Sequence, residues 1–167
     1  MRTIFVAAAV SLSISLAAGP AAAQTAIEID RTLSKVNSTA IMTSDVRQAR
    51  LLRLLAPPPP NDVAILTALE NRLLMLNEAS RAIVSEPAAE QIAARRRAWT
   101  ATWASPADLA KEMERAGMSD RALDGWFRDD MRIDAYLEQR FPPDPKRDER
   151  IAAWIKDLRS RANLPAR

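Results

Sequence analysis

Any chemistry in this chain must be done by carboxylates, arginines and aromatics, because its 167 residues include no His and no Cys. Without imidazole or thiol there is no Ser–His relay, no Cys nucleophile, no His or Cys metal cage and no disulfide. The three glycines, Gly19, Gly117 and Gly125, stand alone, so no glycine-rich loop can cradle a phosphate. The acid–base candidates are Asp130 and Asp134. At 100° per residue from Leu123 they fall inside an apolar arc of Trp126, Phe127, Met131, Ile133, Leu137 and Phe141. Two carboxylates one turn apart on such a face could share a proton or hold Mg²⁺ or Ca²⁺. A buried carboxylate is costly unless paired, however, and the many arginines offer partners, so ion pairs are the expected role. No catalytic residue, metal ligand or cofactor is expected.

Binding residues are the next candidates. Trp99 and Trp103 are spaced i, i+4 on one helical face, and Met75, Met113 and Tyr136 could join them in an adaptable, aromatic-lined groove for apolar segments of other chains. The plainer role for such Trp is to anchor a core. Arg47, Arg50 and Arg53 make a basic ridge, either a solvated helix face or a docking surface for an acidic partner.

The elements that must position these residues are mostly helical. Ile27, Ile29 and Leu33 alternate with polar residues up to Val36, predicting a strand, and Ala40 to Met42 could return as a second after a turn at Asn37–Thr39. Thr43 or Ser44 is suited to cap a helix carrying Val46, Ala49 and Leu52, which Pro57 to Pro60 end as a stiff polyproline spacer. Asn61 or Asp62 begins a helix with a stripe of Leu66, Leu69, Leu73 and Leu76. After a break at Ser85–Pro87, another helix runs through Trp99 and Trp103. Ser105–Pro106 starts a short helix that stops at Gly117, and Ser119 starts a longer one reaching about Phe141. Beyond Pro145 a last helix carries Ile151, Trp154, Ile155 and Leu158, and Pro165 ends it. The fold class is therefore mainly α, a compact multi-helix domain with a short N-terminal β-hairpin.

Arg2, the apolar run Ile4–Ala18 and the small residues Ala21–Ala23 read as a cleavable signal peptide over residues 1–23. The run is too short, and too interrupted by Ser11, Ser13 and Ser15, to span a membrane, which implies export to the periplasm with no stable membrane insertion afterwards. A net charge of +3 makes nucleic acid an improbable partner for an exported chain.

Asp30 to Asn37 (DRTLSKVN), then Ile41 to Val46 (IMTSDV), resembles the opening of the SurA-like periplasmic chaperones. Leu69 to Leu74 with Leu76 and Glu78 resembles that family's second helix, and Met118 with Arg121, Leu123, Phe127, Arg128, Met131, Arg132 and Leu137 a later one. The resemblance implies a helical chaperone domain over residues 24–141, with residues 142–167 forming a Pro-rich turn and a terminal helix that packs back on the core. It departs from the family in leaving no room for a parvulin prolyl-isomerase module between Pro145 and the helix from Asp148 to Ala162.

Two functions are expected on these grounds. One is an ATP-independent holdase for unfolded outer-membrane or exported proteins, not an enzyme, with Met75, Trp99, Trp103, Met113 and Tyr136 touching clients. The alternative is a small non-catalytic envelope adaptor that binds one folded partner through Arg47, Arg50 and Arg53. Neither reading defines an oligomeric state.

Overall fold

The computed structural model describes residues 30–165. The expected signal peptide, Ile27 and Ile29 lie outside the described residues. The chain begins with a two-stranded antiparallel hairpin, β1 (Thr32–Val36) and β2 (Thr39–Met42). Its turn is only two residues, Asn37–Ser38. Asn37 takes the positive φ of 55° that such a turn needs and that Asn tolerates better than most residues. Val36 pairs with Thr39, Lys35 with Ala40 and Ser34 with Ile41, and a bulge falls between Thr32 and Ser34. Val36 and Ile41 are almost completely buried beneath the hairpin.

Six helices follow among the described residues: α1 (Thr43–Leu51), α2 (Asp62–Arg81), α3 (Ala89–Thr100), α4 (Pro106–Ala116), α5 (Asp120–Arg140) and α6 (Arg147–Arg161). The domain is mainly α with an N-terminal hairpin, as the sequence patterns predict. Local chemistry sets several ends. Asn61 Oδ1 accepts the Ala64 N–H at 2.9 Å, Ser105 Oγ that of Asp108 at 3.1 Å and Ser119 Oγ that of Ala122 at 3.2 Å. Gly117 closes α4 with a φ of 63°, the left-handed conformation that glycine adopts without a Cβ penalty.

One helix start and two stops differ from the sequence expectation. The cap of α1 is Met42, whose N–H is taken by Asp45 Oδ2 at 2.7 Å, while Ser44 is engaged by Asp30. The helix also stops at Leu51. Leu52, fully buried, is drawn into the core, and Arg53 adopts a φ of 51°. Trp103 likewise lies beyond α3, in a turn where its N–H is bonded to Thr100 O. The run Pro57–Pro60 joins α1 to α2, and its first peptide, Ala56–Pro57, is cis.

α2 is the centre of the packing: it touches the hairpin, α1, α5 and α6, so it buries Ile65, Leu66, Leu69 and Leu74 on more than one side. A larger core cluster joins Val36, Ile41, Val46, Leu69, Tyr136, Phe141, Trp154 and Leu158. A smaller one joins Leu52, Leu54, Ile92, Ala116, Leu123 and Phe127, with Trp99, Trp103, Met113 and Met118 at its edge. Trp126 packs against both. No helix among the described residues is long and apolar enough to cross a membrane.

Candidate functional site

The carboxylates of α5 have partners from two other helices. Arg72 of α2 donates from Nε to Asp130 Oδ1 at 2.8 Å and from a terminal nitrogen to Trp126 O at 3.0 Å, and its guanidinium lies 3.8 Å from the centre of the Trp126 ring. Asp129 stands at 3.9 Å from the same guanidinium. Burial pushes the Asp130 carboxyl above its usual range, and the charge and hydrogen bond of Arg72 offset part of that rise. Asp129 is also raised by burial, with Arg72 and Arg132 opposing it. Asp134 is half exposed and pairs with Arg95 of α3 at 3.4 Å. Asp130 and Asp134 thus join α5 to α2 and α3 respectively, and Arg96 of α3 adds pairs with Asp120 and Asp124 of α5. No cluster of three acidic, His or Cys side chains able to hold a metal occurs among the described residues.

The five residues expected to contact clients fall into two places. Trp99 and Trp103 meet edge to face with centroids 5.6 Å apart, Trp99 meets Phe127 at the same distance, and Met113 packs on that smaller cluster. Met75 and Tyr136 belong to the larger cluster, where Tyr136 is buried against Trp154. The turn that follows α3 brings Trp103 onto Trp99, whereas Met75 and Tyr136 lie in a different core, since α2 and α5 carry apolar residues toward several neighbours.

Of the three arginines of the expected ridge, Arg47 and Arg50 lie on α1 and Arg53 just beyond it. Arg50 pairs with Asp62 at the start of α2. Arg53 lies over the Trp103 ring at 4.8 Å, and Arg47 is half-buried on α1.

Sequence reasoning missed the most enclosed polar group. Glu70 has no exposed surface. Its Oε1 accepts from Ser34 Oγ at 2.6 Å and its Oε2 from Arg159 at 2.9 Å, so one carboxylate ties β1, α2 and α6 together. Arg159 donates further to Asn71 Oδ1 and Pro165 O, each at 2.8 Å. The signal was present: Glu70 is four residues after Leu66 and three before Leu73, inside the apolar stripe.

Beside Arg159, α2 and α6 leave an open groove of about 640 Å³. Ala152, Ile155 and Leu164 supply apolar wall, Thr67, Asn71 and Ser160 supply neutral polar groups, and Lys156 and Arg159 bring cations. Arg159 is held by Glu70, whereas Lys156 is exposed at the rim. Its volume falls within the ordinary range of ligand pockets, and mixed apolar and neutral polar walls suit side chains of varied sequence. A smaller hollow of about 180 Å³ lies beside β2, against Leu69, Leu73 and Trp126. Comparison with known families, curated proteins and solved structures gives no match to this chain.

Proposed function

We propose that this protein is an ATP-independent holdase of the periplasm, a SurA-like chaperone core that reversibly binds unfolded outer-membrane or exported chains. The observation that carries the reading is the groove between α2 and α6, with its apolar wall of Ala152, Ile155 and Leu164 and with Arg159, held by Glu70, in its lining. Apolar area buried there contributes about 25 cal/mol per Å² before the ordering cost of the client is subtracted, which suits weak and repeated capture. The partly buried Trp99, Trp103 and Met113 form a second apolar surface on the smaller core. The chemistry is binding rather than turnover, and the signal peptide delivers the chain to its compartment.

The adaptor reading is less well supported, because Arg50 already pairs with Asp62 and Arg53 lies over Trp103. The test is whether the mature protein keeps an unfolded outer-membrane barrel protein from aggregating at near-stoichiometric ratio. Suppression should persist in high salt. Ala152→Trp, at an exposed position on the groove wall, should reduce it by filling the groove while leaving the fold intact. Absence of suppression by folded protein would remove the reading, and salt-labile capture of a single folded partner would replace it with the adaptor.

A further inference from the structure

The two strands of the hairpin treat their free edges differently. β1 carries the devices that discourage edge pairing, a bulge between Thr32 and Ser34 and an exposed lysine, Lys35. β2 carries neither; its edge presents Thr39 and Ala40, both exposed and uncharged. The register decides which backbone groups face outward. With Val36 opposite Thr39 across a two-residue turn, bonded pairs fall at Val36/Thr39 and Ser34/Ile41. The Lys35/Ala40 pair between them is non-bonded, so the N–H and C=O of Ala40 point away from β1. The next outward donor, the Met42 N–H, is taken by Asp45 Oδ2, which closes the edge at that end. Alongside this short edge, which no other strand among the described residues pairs with, lies the 180 Å³ hollow, where Ile41, Leu69, Leu73 and Trp126 give apolar wall and Asp45 and Arg72 add one charge of each sign. The buried indole N–H of Trp126 has no acceptor among the described residues.

We infer that β2 is a strand-addition site: an extended segment of a client polypeptide pairs with Ala40 through its backbone and places one apolar side chain in the hollow against Leu69, Leu73 and Trp126. An extended chain is the occupant that fits, because it alone supplies a donor and an acceptor on one residue at strand spacing while delivering a side chain to the helical side. The client residue facing Ala40 points its side chain to solvent, as Ala40 does, and its neighbour points into the hollow. A hollow of this size takes one side chain, so recognition needs one apolar residue and is otherwise indifferent to sequence. The inference rests on the client-binding reading above and adds a backbone-reading site distinct from the α2–α6 groove.

The probe is a fluorescent nine-residue peptide of alternating serine and threonine with one central leucine, titrated by anisotropy. A second peptide is identical but N-methylated on the two residues flanking the leucine. We expect saturable binding of the first peptide, with the Ala40 amide shifting in NMR spectra, and a loss of tenfold or more, about 1.4 kcal/mol, for the second. Ala40→Pro should cause a similar loss, since proline is tolerated on an edge where the N–H faces solvent yet removes the donor. If Ala40→Pro fails to fold, the methylated peptide decides alone. Equal binding of both peptides, wild-type affinity in folded Ala40→Pro, or no binding at millimolar peptide would overturn the inference. So would a dimer that Ala40→Pro dissolves, which would make a second copy the occupant. Aggregation suppression that survives while the peptides fail to discriminate retains the holdase and discards the strand site, and the reverse pattern does the opposite.

Discussion

Replacing Arg159 with Met tests the physical account of how β1, α2 and α6 are held together. The Glu70 carboxylate has 0% exposed surface and the Arg159 side chain 11%, so the substitution takes the cation away from a carboxylate held out of water, which also accepts from Ser34 Oγ. Removing one member of a buried pair costs about 3–5 kcal/mol. At roughly 3 °C per kcal/mol for a chain of this size, Tm should fall by about 9–15 °C. Glu70→Leu should sit at the low end of the range, because Arg159 keeps Asn71 Oδ1 and Pro165 O and lines the open groove. The double variant, Glu70→Leu with Arg159→Met, puts apolar groups of similar length in both places. It should be far less damaged than the sum of the single changes, with a coupling of about 2 kcal/mol or more. Urea melts of the four proteins, fitted with a common m-value, give the cycle. Additivity within about 0.5 kcal/mol would refute the argument, because independent sites behave that way.

Three further outcomes are expected. Gly117→Ala should cost about 1 kcal/mol in a urea melt, because a φ of 63° penalises a Cβ that would otherwise meet nothing within 4 Å; Gly117→Asn should recover part of it. Asp129 and Asp130 have folded pKa values raised by burial, so the folded state binds their protons more readily than the unfolded chain. Their contribution to stability should therefore fall as pH rises from the ordinary carboxylate value near 3.8 through the raised values; Tm against pH for wild type and for Asp129→Asn with Asp130→Asn should differ in slope in that window, and parallel curves would contradict it. Asn61→Ala should cost about 1 kcal/mol by leaving the Ala64 N–H without its cap, with an unchanged melt as the contrary result.

What the sequence determined was local. Ser105, Gly117 and Ser119 set helix ends because capping involves residues at most a few positions apart, and the alternation of Ile27, Ile29 and Leu33 with polar residues pointed to a strand running to Val36 because its period is two. Even the ion-pair role of Asp130 and Asp134 could be argued from the cost of burying a charge. Which arginines would serve could not, because Arg72 lies 58 positions from Asp130 and Arg95 lies 39 from Asp134. Met75 and Tyr136 were grouped with the tryptophans on residue type, and the packing of α2 and α5 against several neighbours separated them. Arg53 left its helical ridge because burying Leu52 is worth more than one further helical turn, a balance that exists only once α3 to α5 supply the cluster. Glu70 shows the same division: its place in an apolar stripe was visible, but its partners come from a strand 36 residues before it and a helix 89 residues after it. Capping and periodicity act within a few residues of chain, whereas burial and ion pairing depend on distances through space that only the folded chain defines.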